Sequence, residues 1–372
     1  MADRLTIRSV ETIPIRVQLG RIYQGSHYRM THRSTIVTRV LTEEGVVGEA
    51  YAGDEDADLL EIDRIIREEI APRLIGEDAF AVERCWELAR PATYDILRDR
   101  RRGLVACACV DAAIWDAVGK ALGQPLWRLW GGYRSRLPMI AIAGYYGEDV
   151  DLAAEIAELR ELGLAGMKLK VGGLEPEQDA ERARTAREAG GDDFILAADA
   201  NQGWTREQAI RFARLVADCD LVWLEEPCRW PNDRRAMRDV RFAAGVRVCA
   251  GQSEYSAGGC RDLMVEGAID VCNFDASWSG GPTEWRRVAG MALAFDVQMA
   301  HHEEPQIASH LLASIPHGTF VECFHPDRDP IWWSLVANRP PLVDGTIGLP
   351  SAPGLGWELD PDFIEAHRVA SR

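Results

Sequence analysis

Long apolar runs are missing from this chain. None approaches the roughly 20 consecutive apolar residues that a bilayer-spanning helix needs, and the first residues, MADRLTIRSVETIPI, carry charge throughout where a secretory leader would be apolar. A cytoplasmic protein that does not enter a membrane is therefore expected. Positive charge is in deficit as well. The formal net charge of −17 argues against nucleic acid and anionic membrane surfaces as partners, because both need a basic footprint. A small molecule is the better match. Paired cysteine motifs are also absent: the nine cysteines fall mostly in apolar segments such as VACACVDAA, and no CxxC has a second to complete it. They read as reduced core residues and not as zinc ligands or disulfides.

What the chain does have is length and regular patterning. With 372 residues, 47% of them hydrophobic, it can bury a large core and form two structural units. Up to about residue 50, the alternating stretches TIRSVETIPIRVQL and STIVTRVLTEEGVVGEAYAG predict strands in a meander with a glycine-closed turn. From about 55 to 129 the period lengthens. EIDRIIREEIAPRLIG, AVERCWELAR and LVACACVDAAIWDAVGKALG carry apolar residues at helical spacing, and the last is ended by Gly123 with Pro125 beyond. Residues 1 to about 130 thus form an α+β unit.

From residue 137 a repeat begins. LPMIAIAG, GMKLKVG, FILAADAN, LVWLEEP, VRVCAGQ, DVCNFDAS, DVQMAHH and GTFVECF alternate with helix-like segments such as EPEQDAERARTAREAG. Strands and helices alternating in this way predict a (β/α)8 barrel. A doubly wound open sheet is the alternative, but AIAGYYGEDVD is not the GxGxxG phosphate loop expected after its first strand. A zinc hydrolase barrel would need HxH on that strand, and MIAIAGYYG has no histidine.

Polar groups recur at the ends of these strands. Lys168 and Lys170 share one face of the second, with Met167, Leu169 and Val171 on the other. Asp199 and Asn201 follow on the third, Glu225 and Glu226 on the fourth, Gln252 and Glu254 on the fifth, Asp275 on the sixth, His301 and His302 on the seventh, and Glu322 on the eighth. A lone acid at a strand end is usually a helix cap, and a lone lysine pair is usually a solvated face. In a barrel, however, all these ends converge on one mouth.

KLK, DANQGW, LEEP, FDASWSGG, MAHHEE and FVECF together resemble the mandelate racemase subgroup of the enolase superfamily, the mandelate racemase/muconate lactonizing enzyme family, across nearly the whole chain. The resemblance implies a modified (β/α)8 TIM barrel under an α+β capping domain completed by the C-terminal tail. The corresponding boundaries are 1–130 for the cap, 131–325 for the barrel and 326–372 for the returning segment. It also implies Mg2+ held by Asp199 and Glu225. The family's third ligand is a Glu, and here Gln252 stands at that position; a Gln offers a neutral amide oxygen, so Glu254, two residues on, remains the other candidate. By the same resemblance Lys170 is a general base, and Lys168 binds the substrate carboxylate while depressing the pKa of Lys170. His302 is the second acid/base group, held protonated by Asp275. Glu322 hydrogen-bonds the substrate carboxylate as a proton donor. His301 reads as packing or support. A homo-oligomer is implied too.

These roles describe removal of a proton next to a carboxylate to give an enediolate. If His302 protonates a departing β-hydroxyl, the enzyme dehydrates an acid sugar to a 2-keto-3-deoxy acid. If it returns a proton to the opposite face, the enzyme is a racemase or epimerase. The family's capping loop, here GRIYQGSHYRMTHR, is polar and suits a hydroxylated substrate, with His27, Tyr28 and Asn201 as further contacts; dehydration is therefore the favoured outcome. A non-catalytic binding protein would have no use for Lys170, His302 and Glu322 together.

Overall fold

The computed structural model describes residues 3–53, 57–147 and 151–370. The chain opens with an antiparallel sheet of β1 (Ile7–Gln24), β2 (Arg29–Thr42) and β3 (Val47–Ala52). β-branched residues pair across it, as at Ile13 with Val37 and Ile15 with Thr35, where they suit a pleated, half-buried surface. Gly45, at φ +81°, makes the β2–β3 turn that the sequence predicts.

The polar stretch from 20 to 33 is not a loop. Tyr23 pairs with Met30 and Gln24 with Arg29, and the chain reverses with Gly25 N–H donating to Tyr28 O at 3.1 Å. Apart from Ile22, Tyr23 and Met30 the hairpin is mostly polar, so it shows no regular apolar alternation, although backbone pairing holds it as strand. Gly25 lets the Tyr28 ring lie directly on the turn, where a Cβ would push it aside. The tip reaches the barrel, where Tyr146 N–H donates to Gln24 O at 2.9 Å.

Three helical segments back the sheet: Leu59–Ile65, which runs on through a π-helical stretch to Leu74, then Val82–Ala89, and Arg100–Leu122. The longest is capped by Asp99, which accepts from Arg101 N–H, and it stops at Gly123 with φ +65°. It lies tightly on β3 because Gly48 has no Cβ to strike Ala113 O.

Eight parallel strands follow: β4 (Arg136–Ala143), β5 (Gly166–Lys170), β6 (Ile195–Asp199), β7 (Leu224–Glu225), β8 (Val248–Cys249), β9 (Val271–Cys272), β10 (Gln298–Met299) and β11 (Val321–Phe324). Each predicted run contains one of them. β11 pairs with β4, and Met299 bonds to His317 O at 2.8 Å and to Thr319 N–H at 2.9 Å, which closes the ring. The barrel floor is apolar, formed by Ile140, Ala197, Trp223, Cys249, Val271, Ala300 and Phe320, with the Trp223 and Phe320 rings stacked 4.7 Å apart. A packed floor leaves chemistry to the other end.

The tail fastens both units. β12 (Thr346–Gly348) adds antiparallel to β4. Further on, Leu355 N–H donates to Asp116 of the cap at 2.7 Å and Val369 N–H to Pro14 O at 2.8 Å. Asp111 of the long cap helix accepts from both the N–H and the hydroxyl of Thr283 at 2.8 Å, fixing cap to barrel. All nine cysteines are buried free thiols, and no helix among the described residues is long and apolar enough to cross a membrane.

Candidate active site

The strand ends above the apolar floor carry the predicted polar residues, and most of them touch one another. Lys168 and Lys170 point inward from β5, while Met167, Leu169 and Val171 face the helices, all five buried. Lys168 Nζ lies 2.8 Å from Glu225 Oε1 and 2.7 Å from Glu322 Oε1. Lys170 Nζ donates to Asp199 Oδ2 at 2.7 Å and to Asn201 Oδ1 at 3.0 Å. Asn201 thereby orients the lysine.

The expectation that Lys168 depresses the pKa of Lys170 is not met in this structure. Burial works in that direction, but the adjacent Asp199 carboxylate outweighs it and holds Lys170 well above the usual lysine range. Lys168 is itself paired with Glu225 and Glu322. Glu322 accepts hydrogen bonds here, from Lys168 at 2.9 Å and from Glu303 N–H at 3.2 Å; the donor role foreseen for it requires a protonated carboxyl.

His302 lies just beyond the end of β10, well separated from β5 around the ring. Its Nδ1 is 2.9 Å from Asp275 Oδ2, and its ring packs against Trp278 at 4.7 Å. Asp275 is itself anchored by Ser277 N–H and Oγ at 2.7 Å. The other ring nitrogen, Nε2, lies 3.2 Å from Glu303 Oε1. Burial opposes charge on this imidazole, but Glu303 and Asp275 on its two sides raise its pKa well above the ordinary value. His301 is different. Ala276 N–H donates to its Nε2 at 3.0 Å, so Nδ1 carries the hydrogen and donates to His302 O at 2.8 Å. That neutral ring supports the turn beneath His302, the supporting place expected of it.

Asp199 and Glu225 offer carboxylate oxygens and Gln252 an amide oxygen, the donor types that a hard divalent cation takes. Burial, with Asp199 and Glu322 alongside, pushes Glu225 up to about 8 despite Lys168; this surplus of buried negative charge is what a cation relieves. Among the described residues no three His, Cys, Asp or Glu side chains gather into a metal cage. Gln252 is buried, bonded to Asn273 at 3.2 Å and to Glu226 at 3.4 Å. Glu254 is engaged elsewhere, 2.6 Å from Arg234. Of the hairpin residues, Tyr28 lies over Lys170 with its ring centre 5.7 Å from Nζ, whereas His27 is exposed on the turn.

Residues 10–131 match the family described as mandelate racemase / muconate lactonizing enzyme, N-terminal domain, and residues 151–363 match the enolase C-terminal domain-like family. The chain belongs to the mandelate racemase group of the enolase superfamily. Its fold is similar to the crystal structure of a mandelate racemase/muconate lactonizing enzyme with a TM-score of 0.97 and 61% identity, covering 98% of this chain and 100% of that one. Another, from a marine actinobacterium in complex with magnesium, gives a TM-score of 0.94 at 59% identity, with 98% and 100% covered. Among curated relatives, 3,6-anhydro-alpha-L-galactonate cycloisomerase of Streptomyces coelicolor is 29% identical over 365 residues, 95% of this chain and 97% of that protein. Arabinonate dehydratase of Saccharolobus solfataricus is 27% identical over 349 residues, with 90% and 91% covered.

In this enolase-superfamily mouth the sequence reading missed Glu303, Trp278 and Arg33. Trp278 and Glu303 sit inside motifs already singled out, FDASWSGG and MAHHEE, and are themselves polar or aromatic neighbours of the dyad. Arg33, from β2, is buried and bonds Glu304 at 2.8 Å and Asp329 at 3.0 Å. One compositional signal was open to use: Lys120, Lys168 and Lys170 are the only lysines in a chain with 42 Lys+Arg, so the KLK pair stands out where arginine is otherwise the rule.

Proposed function

We propose that the protein removes the α-proton of a hydroxy-carboxylate through an enediolate and dehydrates an acid sugar to a 2-keto-3-deoxy acid. The observation that carries this reading is the imidazole of His302, buried between two carboxylates at 2.9 and 3.2 Å. Such a ring starts the reaction charged, as an acid, which suits protonation of a leaving hydroxyl. Lys170, on the far side of the mouth, is the base. It must first give up its proton, and the raised pKa reflects its pairing with Asp199 in this structure.

Asp199, Glu225 and Gln252 would hold Mg2+, which supplies a Lewis acid toward the substrate carboxylate. Lys168, fixed between Glu225 and Glu322, presents its remaining N–H to the same end of the substrate. Asn201 sets the direction of Lys170 and Tyr28 covers it, excluding water from the base. The likeness to dehydratases and to a cycloisomerase supports chemistry of this type on sugar acids. Racemisation or epimerisation is the second reading, favoured by the placement of Lys170 and His302 on separate sides of one mouth.

Proton NMR in heavy water with a panel of aldonic and aldaric acids tests the choice. Dehydration replaces the β-carbinol signal by a methylene and yields a semicarbazide-reactive product. A product that keeps every hydroxyl and differs only in α-configuration overturns it in favour of epimerisation.

A further inference from the structure

The HHEEP turn after β10 is built against the usual backbone preference. Glu303 and Glu304 are consecutive non-glycine residues at φ +52° and +46°, a conformation that persists only when its surroundings enforce it. They do so here. Arg33 of the cap binds the Glu304 carboxylate at 2.8 Å, Glu303 N–H donates to Glu322 at 3.2 Å, and His301 Nδ1 donates to Glu303 O at 3.2 Å. The outcome is a buried Glu303 carboxylate 3.2 Å from His302 Nε2, on the opposite side of the ring from Asp275. Arg33 and Arg328 add positive field to that carboxylate.

His302 can pass a proton to a substrate only through Nε2, since Nδ1 is taken by Asp275. Nε2 and the Glu303 carboxylate touch directly at 3.2 Å, so the leaving oxygen must displace that contact and stand against both groups. A hydroxyl is the group that fits such a place, because it accepts from the imidazolium while donating its own hydrogen to a carboxylate that can only accept. We propose that Glu303 receives the hydrogen of the substrate's β-hydroxyl and so confines turnover to carboxylates that bear one. This rests on the dehydratase reading above.

The step balances without any further reagent. Lys170 takes the α-proton, the bond from the β-carbon to oxygen breaks with its electron pair on oxygen, and the His302 Nε2 proton joins that oxygen. Water leaves. The resulting enol tautomerises to the keto acid, and Glu303 neither gains nor loses a proton. A substrate with an alkyl or aryl β-position leaves the carboxylate facing an apolar group, which is the kind of mismatch that discriminates strongly.

The test compares a turned-over acid sugar with its 3-deoxy analogue, both followed by α-proton exchange in heavy water, in wild type, Glu303→Gln and Glu303→Ala. In wild type the hydroxylated acid should exchange faster by about a hundredfold, and in Glu303→Ala that preference should collapse to within about threefold, while water loss falls about a hundredfold in both variants. Equal preference in wild type and Glu303→Ala would overturn the proposal. Titration of His302 by proton–nitrogen NMR, with Asp275, Glu226 and His301 also facing the ring, separates a mere electrostatic role: a lowered titration midpoint with the preference intact also overturns it. If wild type instead epimerises the acid, the dehydratase reading fails on its own, and the preference ratio still decides the part played by Glu303. Glu303→Gln, close in shape, keeps the comparison available if the alanine variant does not fold.

Discussion

Asp116 in the long cap helix and Asp199 at the end of β6 are both buried carboxylates, but their partners differ in kind. Asp116 accepts from the backbone N–H groups of Glu49 and Leu355, each at 2.7 Å, and from the half-exposed Lys120. It joins cap sheet, cap helix and tail with groups that cannot leave. Asp111 does the same between cap and barrel through Thr283, and burial pushes it up to about 7. Asp199 instead shares its charge with the ammonium of Lys170, and the whole mouth repeats that pattern through Lys168, Glu225, Glu322, His302 and Glu303. These two seam carboxylates rest chiefly on fixed dipoles, and those of the mouth on exchangeable charges. Exchangeable pairs are what a site needs if a cation and a substrate anion are to enter it.

The largest break in that comparison is Lys170→Ala. Turnover should fall at least about a thousandfold, measured as release of keto acid. Removing the ammonium also leaves Asp199 buried without its partner, so the metal-free variant should melt earlier, and saturating Mg2+ should restore more of its thermal midpoint than it does for wild type. A variant with near wild-type turnover would make the pair structural and the mouth no different in kind from the seams.

Asp116→Ala probes the other side. Two backbone donors lose their acceptor, at a cost of about 2–4 kcal/mol, seen as a lower urea midpoint. At a temperature where the variant is folded, kcat/KM should stay within about twofold of wild type. A collapse of kcat at intact stability would show that the seam reaches into the chemistry.

The strands and the end of the long cap helix were open to a reading of the sequence, the seams were not, and the mouth was only in part. Met167, Leu169 and Val171 alternate with two lysines, and period two decides which face each takes. Gly123 and Pro125 end the long helix by local rules that need no tertiary knowledge. By contrast, the hairpin from 20 to 33 is held by backbone pairing among mostly polar residues, which leaves no periodic trace. The position of Glu303 depends on two left-handed residues and on Arg33, some 270 positions earlier in the chain. The raised pKa of Lys170 likewise follows from which carboxylate lies 2.7 Å away, a matter of geometry and not of neighbours in sequence.

Gln252 marks an intermediate effect. If it completes the cation site with Asp199 and Glu225, Gln252→Ala should weaken Mg2+ binding by about tenfold or more in calorimetry, and Glu254→Ala, whose carboxylate is tied to Arg234, should change it less than about twofold. Chelation should abolish turnover in wild type and added Mg2+ restore it. The reverse order of the two variants would move the ligand to Glu254.

The smallest effect sets two buried histidines against each other. His310, in the helix Pro305–Ser314, accepts from Trp127 N–H at Nδ1 and donates from Nε2 to Leu355 O at 2.8 Å. Both nitrogens are committed to backbone groups, so a second ring proton would face an N–H, and burial pushes the imidazole down to about 3. The folded pKa lies below the unfolded value of 6.5; above that pH neither state binds the proton, and as pH falls below it only the unfolded chain does. Stability is therefore lost on acidification, by about 2 kcal/mol between pH 6.5 and pH 5 from this residue. His302 has its pKa raised by carboxylates and acts with the opposite sign, contributing stability at low pH that is lost as pH rises through its folded value. Urea unfolding of wild type and His310→Gln at pH 7.5 and pH 5 cancels His302 and every other shared group. The variant should be the less stable at pH 7.5, and the gap should narrow by about 2 kcal/mol at pH 5; parallel losses in the two proteins would mean that His310 takes up its proton in the fold as readily as in the unfolded chain.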